Sequence, residues 1–137
     1  MTNISLAQSY LIKATKRLKI LPVLLVEEAY SDVVREAQEI VELALKGMLR
    51  QAGIDPPKWH DVGTILEEQE RLFPAGVQKQ VPRLAGISKW LRKERELSFY
   101  GDIDFIPTEE YTKKDAQRAI KDANFTVRVV RKVVNIP

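Results

Sequence analysis

The sequence contains no cysteine and a single histidine, His60. Without cysteine, disulfides, thiolate zinc sites and cysteine nucleophiles are all excluded. One histidine cannot form a histidine metal cluster, and no zinc-ligand spacing, glycine-rich phosphate loop or hydrolase elbow occurs in the chain. We therefore expect no metal site and no cofactor.

Long apolar runs are lacking too. No run approaches the roughly 18 residues that a membrane-spanning helix needs. The N-terminal residues do not show the charged-then-apolar layout of a secretory signal, so the sequence predicts a cytoplasmic protein without a membrane segment. The length of 137 residues, of which 45% are hydrophobic, is typical of one globular domain, which we place over residues 1–137.

Positive residues are concentrated in two stretches, although the net charge is only +3. Residues 79–96 hold six lysines and arginines against two glutamates, and residues 113–132 hold seven against Asp115 and Asp122. The ordinary interpretation is a set of solvated helix faces, and the alternative is a positive groove for nucleic acid or nucleotide. The seven cations of the second stretch are Lys113, Lys114, Arg118, Lys121, Arg128, Arg131 and Lys132.

Helical spacing of apolar residues recurs along the chain, whereas strand alternation is never sustained. This pattern predicts an all-α fold, an up-and-down antiparallel bundle of four to five helices. Residues 23–30 either extend the first helix or form the turn into the second. The predicted helices cover about residues 4–20, Ser31 or Asp32 to Ala52, a short segment capped by Asp61, Arg83 to Tyr100, and a last segment that begins at Thr108 or Thr112.

Arg95 interrupts an otherwise apolar face of the predicted helix Arg83 to Tyr100. A guanidinium that is buried needs an anion, because it cannot lose its proton. Arg95 is therefore part of a structural ion pair, an arginine whose head reaches the rim of the core, or an anion site for a ligand or partner. The other residues on this face, at spacings of three and four, are Leu84, Ile87, Ser88, Leu91 and Ser98.

Trp90 lies one step away from that face, where it is buried or lies at an interface and can anchor a dimer contact. Lys46 follows Glu42 by four residues on the second helix. This spacing predicts an ion pair on the helix surface.

Three parts of the chain form a specific combination. They are residues 30–66, which read YSDVVREAQEIVELALKGMLRQAGIDPPKWHDVGTIL, residues 92–104, which read RKERELSFYGDID, and the closing amphipathic helix. The combination resembles a HEPN domain, named for nucleotide binding in higher eukaryotes and prokaryotes. The resemblance implies a helical bundle that is usually a homodimer, is often encoded beside a small nucleotidyltransferase, and is frequently part of a toxin–antitoxin pair.

Many members of this family cleave RNA without metal through an arginine that is followed, after four to six residues, by a histidine. Arg95 matches the arginine, but Tyr100 occupies the first position open to the histidine, and Gly101 and Asp102 occupy the later ones. Histidine, with a reference pKa near 6.5, exchanges protons at neutral pH, whereas tyrosine, near 10, stays protonated. His60 lies in a different loop, before an aspartate at a helix start, which is typical of a structural residue.

The sequence therefore predicts a non-catalytic domain that binds a nucleotide, RNA or a partner nucleotidyltransferase, as a homodimer and in a toxin–antitoxin-type pair. Arg95 is the predicted bidentate anion binder, Tyr100 the hydrogen-bonding or stacking group, and Arg92 an auxiliary positive charge. One alternative is a metal-independent ribonuclease toxin that uses Arg95 and Tyr100. A further alternative is a purely structural interaction module, in which the face around Arg95 is the dimer seam.

Overall fold

The computed structural model describes residues 3–56, 58 and 61–136, without the side chains of residues 3–5 and 96. Within these residues the prediction of an all-α fold is confirmed. Four long helices form the bundle and short ones connect them, with a 3₁₀ turn at Glu70–Leu72. The helices are α1 (Asn3–Arg17), α2 (Ile20–Val26), α3 (Tyr30–Gln51), α4 (Val62–Glu68), α5 (Ala75–Gln78), α6 (Val81–Phe99), α7 (Pro107–Glu110) and α8 (Lys113–Val130).

Helix α3 lies at the centre of the bundle and contacts α1, α6 and α8. Its buried apolar residues form one continuous side of the helix that is wide enough to contact three long helices at once. Each fully buried leucine stabilises the fold by about 1.5–3 kcal/mol. The buried apolar residues of α3 are Val33, Val34, Ala37, Ile40, Val41, Ala44, Leu45, Met48 and Leu49.

Side-chain pairs show that α3 is antiparallel to both α1 and α6. Arg17, at the end of α1, forms an ion pair of 2.7 Å with Glu36, near the start of α3. Arg35, also near the start of α3, lies 5.3 Å from the ring centre of Phe99, the last residue of α6. At the other end of α3, a Cβ on Gly47 would lie 3.2 Å from the carbonyl oxygen of Ala7, so glycine permits the close approach of α1.

The structure defines the region between the first two long helices. α1 ends at Arg17, and Ile20–Val26 form a separate helix, α2. Glu27 to Ala29 then form the turn into α3, with Glu28 at a φ of 58°. The start of α3 differs from the expected cap, because the helix begins at Tyr30 and the preceding Ala29 has no capping side chain. Ser31 is instead buried inside the first turn.

The remaining helix ends agree more closely with the sequence. Gly53, at a φ of 82°, follows the end of α3. Asp61 caps α4 and accepts a hydrogen bond of 2.9 Å from the backbone N–H of Gly63. Of the two threonines proposed for the last helix, Thr112 is the cap, and it forms a capping box with Asp115. α6 begins at Val81, two residues earlier than expected, because a proline is tolerated in the first turn of a helix.

Among the described residues, every helix is too short or too polar to cross a bilayer.

Candidate functional site

Arg95 is exposed, although the residues above and below it on the same face of α6 are buried. Leu91 is 0% and Ser98 is 1% accessible. Opposite Arg95, α3 presents the polar residues Glu39 and Glu42. The apolar core therefore does not cover this position of α6. Water therefore reaches the guanidinium. Among the described side chains, none forms an ion pair with Arg95.

A cleft of about 460 Å³ lies between α1, α3 and the end of α6, and we call it the Arg95 cleft. Its volume is within the range of small-molecule sites. Of its eight described lining residues, five are cations and two are carboxylates, so the described lining carries an excess of positive charge. These residues are Lys13 and Arg17 of α1, Glu39, Glu42, Leu43 and Lys46 of α3, Lys58 of the following loop, and Arg95.

Both carboxylates of the Arg95 cleft are already engaged by the protein. Glu42 accepts a hydrogen bond of 2.6 Å from the side-chain amide of Gln38 and forms an ion pair of 3.3 Å with Lys46, which confirms the predicted pair. Glu39 forms an ion pair with Arg35. Glu42 therefore offsets one of the five cations, Lys46, whereas Glu39 is paired with Arg35 outside the described lining.

The cations of the Arg95 cleft differ in how firmly they are held. Arg17 donates two hydrogen bonds to Glu36, of 2.7 and 3.2 Å. The hydrogen bond to Glu36 raises the pKa of the Arg17 guanidinium above its ordinary value, so the charge of Arg17 is fixed. Lys13, Lys58 and Arg95 have no ion-pair partner within the part of the chain that the structure describes. These three are the cations that an incoming anion can contact.

A second cleft, of about 490 Å³, lies on the other side of Arg95, and we call it the Arg92 cleft. Its described lining contains the cations Arg92, Lys93 and Arg95 and one carboxylate, Asp102. The structure thus places Arg92 and Arg95 around one cavity, as their proposed shared role requires. Arg95 borders both clefts and connects their positive surfaces.

Tyr100 lies apart from both clefts. It is the first residue after α6, is 78% accessible, and packs edge-to-face against Phe99 with 4.8 Å between ring centres. Its hydroxyl has no hydrogen-bond partner among the described residues. The structure therefore does not bring Tyr100 and Arg95 to one cavity, and the tyrosine ring is free to meet a ligand or a second protein.

The loop after Tyr100 is anchored to α6. Gly101 has a φ of 69°, and a Cβ there would lie 2.4 Å from the carbonyl oxygen of Phe105, so only glycine fits. The backbones of Asp102 and Phe105 exchange two hydrogen bonds, of 2.9 and 3.0 Å. Tyr111 donates a hydrogen bond of 2.6 Å to Glu94. These contacts fix the end of the helix that carries Arg95.

Sequence reasoning missed the lysines that share the Arg95 cleft. Lys13 and Arg17 are four residues apart on α1, which places them on one helix face, but nothing in that spacing indicates that α6 ends beside them. Lys58 comes from a loop, where periodicity gives no direction. His60 lies outside the described residues. Among the residues that are described, no group of three or more histidine or acidic side chains could hold a metal ion.

Comparisons with known proteins agree with the helical architecture. The family model described as HEPN domain matches residues 7–133 of the chain. A protein of Methanocaldococcus jannaschii named "Putative toxin MJ1304" is 27% identical over 136 residues, which cover 94% of this chain and 88% of that protein. The similarity therefore extends over the whole bundle, including both clefts and the end of α6.

Proposed function

The chain belongs to the HEPN family, and we propose that it is a non-catalytic binding domain that takes the phosphate of a nucleotide or of RNA in the Arg95 cleft. We also propose that residues 1–137 act as a single domain, and that this domain is the toxin-like member of a toxin–antitoxin-type pair. The name of the M. jannaschii relative supports the second point. A protein with a nucleotidyltransferase domain is the proposed partner, as the family resemblance implies.

One observation carries the binding proposal: Arg95 is exposed, has no carboxylate partner among the described side chains, and borders two positively charged clefts. A guanidinium has two parallel N–H groups that match two oxygens of a phosphate, and such charge-assisted hydrogen bonds are the strong ones. Lys13 and Lys58 add positive charge from the side of the Arg95 cleft, and Arg92 adds it from the other side. Tyr100, which lies apart from both clefts, can stack on a base or donate a hydrogen bond to a ligand that extends beyond them.

The test replaces Arg95 by alanine and measures binding of adenosine monophosphate by calorimetry. Hydrogen bonds to a charged group contribute about 1.5–3 kcal/mol, so Arg95→Ala should weaken the affinity roughly 10- to 150-fold. Arg71→Ala is the matched control, because Arg71 is an exposed arginine on the 3₁₀ turn and borders neither cleft. Equal affinity of Arg95→Ala and the wild type would overturn the assignment of the Arg95 cleft.

The absence of catalysis is tested separately. Purified protein should leave RNA intact between about pH 6 and pH 10, a range that reaches the reference pKa of tyrosine. Histidine at position 100 would supply the missing proton carrier, although positions 95 and 100 lie apart within one chain. Cleavage that appears in Tyr100→His and disappears when Arg95 is also replaced would therefore show that the two positions act together in the homodimer. If the wild type cleaves RNA and Arg95→Ala abolishes cleavage, the ribonuclease alternative is correct.

We further propose that the chain forms a homodimer through the end of α6 and the following loop. Four large apolar side chains are exposed there within eight residues of sequence: Phe99 at 51%, Tyr100 at 78%, Ile103 at 90% and Ile106 at 47%. Exposed apolar patches of this kind mark protein interfaces, and a two-fold axis would place one copy of the patch against another. In the alternative of a purely structural module, this seam is the whole function and no phosphate binds.

Salt separates these possibilities. Phosphate binding at a cationic cleft weakens steeply as the salt concentration rises, whereas an apolar seam does not. Measuring both nucleotide affinity and oligomeric state over the same salt series therefore shows whether one surface or two are in use.

A further inference from the structure

Helix α8 turns only positive charge toward the solvent. Residues 113–132 are all described, and their exposed charged side chains are seven lysines and arginines, while the other exposed residues, Gln117 and Asn124, are neutral. The seven are Lys113, Lys114, Arg118, Lys121, Arg128, Arg131 and Lys132. The exposed cations of this stretch therefore share a surface, and none of residues 113–132 places a fully exposed carboxylate among them.

The two acidic residues of α8 are partly buried, and both accept hydrogen bonds within the protein. Asp115 accepts hydrogen bonds from Thr112 in the capping box at the start of the helix. Asp122 accepts a hydrogen bond of 2.9 Å from the indole N–H of Trp90 and lies 3.8 Å from Arg118. Neither carboxylate faces the solvent as a free anion.

The cations of α8 are also aligned. Lys114, Arg118, Lys121 and Arg128 are separated by four, three and seven residues, which places them along one side of the helix over about 21 Å. The position between the last two is Phe125, and the guanidinium of Arg83 from α6 lies over its ring at 3.7 Å. Arg83 of α6 therefore places a positive charge between Lys121 and Arg128, at the one position of the row where α8 itself has no cation.

Folding alone does not account for this row. Like charges four residues apart, such as Lys114 with Arg118, destabilise a helix by a few tenths of a kcal/mol. Arg118 has compensating contacts with Asp122 and Trp90, and Arg128 lies 5.9 Å from the ring centre of Phe125. Lys114 and Lys121 have no such contact among the described residues, so their repulsion by the neighbouring cations is not offset. A polyanion that binds across the row would turn this repulsion into attraction.

We propose that this surface, which we call the α8 face, docks a polynucleotide through its phosphates. A protein partner is disfavoured because protein interfaces have an apolar centre that is depleted in charge, and none of the large exposed apolar side chains among the described residues lies on α8. The aromatic rings beside the row are covered, Trp90 by Arg118 at 4.0 Å and Phe125 by Arg83. Bases therefore find no stacking platform, and recognition is independent of sequence.

The α8 face does not depend on the function proposed for the Arg95 cleft, because the two surfaces share no residue. It adds a second, longer contact for nucleic acid to the same protein. A nucleotide small enough for the Arg95 cleft would not reach along the row, whereas an oligonucleotide would.

The test measures fluorescence anisotropy of labelled single-stranded RNA of about 16 nucleotides over a salt series. The variant Lys114→Gln, Lys121→Gln, Arg128→Gln removes three charges from the α8 face. The control Lys16→Gln, Lys19→Gln, Arg71→Gln removes the same two lysines and one arginine from exposed positions elsewhere. The first variant should reduce the slope of log affinity against log salt by about 2 to 3, equally for RNA and DNA and for different base sequences, while the control keeps the wild-type slope.

Equal slopes for the variant and its control would overturn the proposal, as would tighter binding of polyglutamate than of RNA at matched charge, which would indicate an acidic protein partner. All six replaced side chains are exposed, so thermal unfolding should confirm that both variants fold. Adenosine monophosphate separates this site from the Arg95 cleft. The affinity for adenosine monophosphate should be unchanged in the α8 variant and reduced in Arg95→Ala. The dependence of RNA affinity on salt should change in the opposite way: the α8 variant should lower its slope by about 2 to 3, and Arg95→Ala should not show this loss.

Discussion

The hydroxyl of Tyr111 donates a hydrogen bond of 2.6 Å to Glu94, one residue before Arg95. Tyr111 is only 8% accessible, and its ring also packs edge-to-face on Phe105. Burial, and then the hydrogen bond to Glu94, raise the pKa of Tyr111 well above its ordinary value. A single side chain therefore joins the loop after Tyr100 to the turn of α6 that bears the proposed anion binder.

At the same scale, Tyr111→Phe should destabilise the protein by about 1–3 kcal/mol, because it removes a hydrogen bond to a charged group. The raised pKa means that the folded state favours the protonated phenol. The contribution of Tyr111 to the free energy of unfolding is therefore complete below about pH 10, the pKa of tyrosine in the unfolded chain, and declines as the pH rises above that value. Urea unfolding from about pH 7 to pH 11 measures both effects. Tyr100→Phe is the control, since that hydroxyl has no partner among the described residues, and a loss of stability as large as that of Tyr111→Phe would contradict the assignment.

At the scale of elements, α8 begins at Thr112, whose side-chain oxygen accepts a hydrogen bond of 3.2 Å from the backbone N–H of Asp115. Thr112→Ala removes this cap and should cost about 1 kcal/mol. Thr108→Ala, in the exposed α7, tests the other start that the sequence allowed and should change stability by less than about 0.5 kcal/mol. Thermal unfolding of the two variants side by side decides between them. A larger loss for Thr108→Ala would place the functional helix start in α7.

The long helices were predictable because their apolar residues keep helical spacing over several turns, and Gly53, Asp61 and Thr112 provide chemical stop and start signals. The start of α3 was not, because Ala29 offers no capping side chain and Ser31 packs into the core. α2 was ambiguous because seven residues are too few to establish a period. Trp90, considered for a dimer contact, packs within its own chain, which helical position alone does not reveal.

For the candidate site, the sequence predicted the position of Arg95 on its helix but not the residues that surround it in the fold. Periodicity placed Arg95 correctly around the axis of α6, but it gives no information on what lies opposite. The cleft at Arg95 also contains Glu39 and Glu42 of α3, Lys13 of α1 and Lys58 of a loop. Their position beside Arg95 depends on how these elements pack against α6, which the sequence does not show. The cationic row of α8 was visible as composition, whereas the occupation of Asp115 and Asp122 by internal contacts required the structure.

At the scale of the whole molecule, cationic and exposed apolar surfaces lie on different parts of the described chain and meet at the end of α6, where Gly101 and Asp102 line the Arg92 cleft. The Arg95 cleft and the α8 face carry cations, and the end of α6 with its loop carries exposed Phe99, Tyr100, Ile103 and Ile106. A homodimer through the apolar patch would bring two Tyr100 side chains together while both α8 faces stay accessible to nucleic acid. Dimerisation would also double the number of phosphates that one particle can contact, which raises avidity without any new contact.

Ile103→Asp should dissociate this dimer, because it places a charge in the most exposed part of the patch, where Ile103 is 90% accessible. Light scattering should report a mass near the monomer value of 15.7 kDa for this variant and near twice that value for the wild type. Val26→Asp is the matched control, since Val26 is 81% accessible on α2, and it should remain dimeric. If Val26→Asp dissociates the protein and Ile103→Asp does not, the seam lies on α2. Ile103→Asp should also bind RNA more weakly than the wild type, because a monomer offers one α8 face and a dimer offers two. If the slope of log affinity against log salt for each monomer is unchanged in this variant, the loss comes from avidity and not from damage to the α8 face.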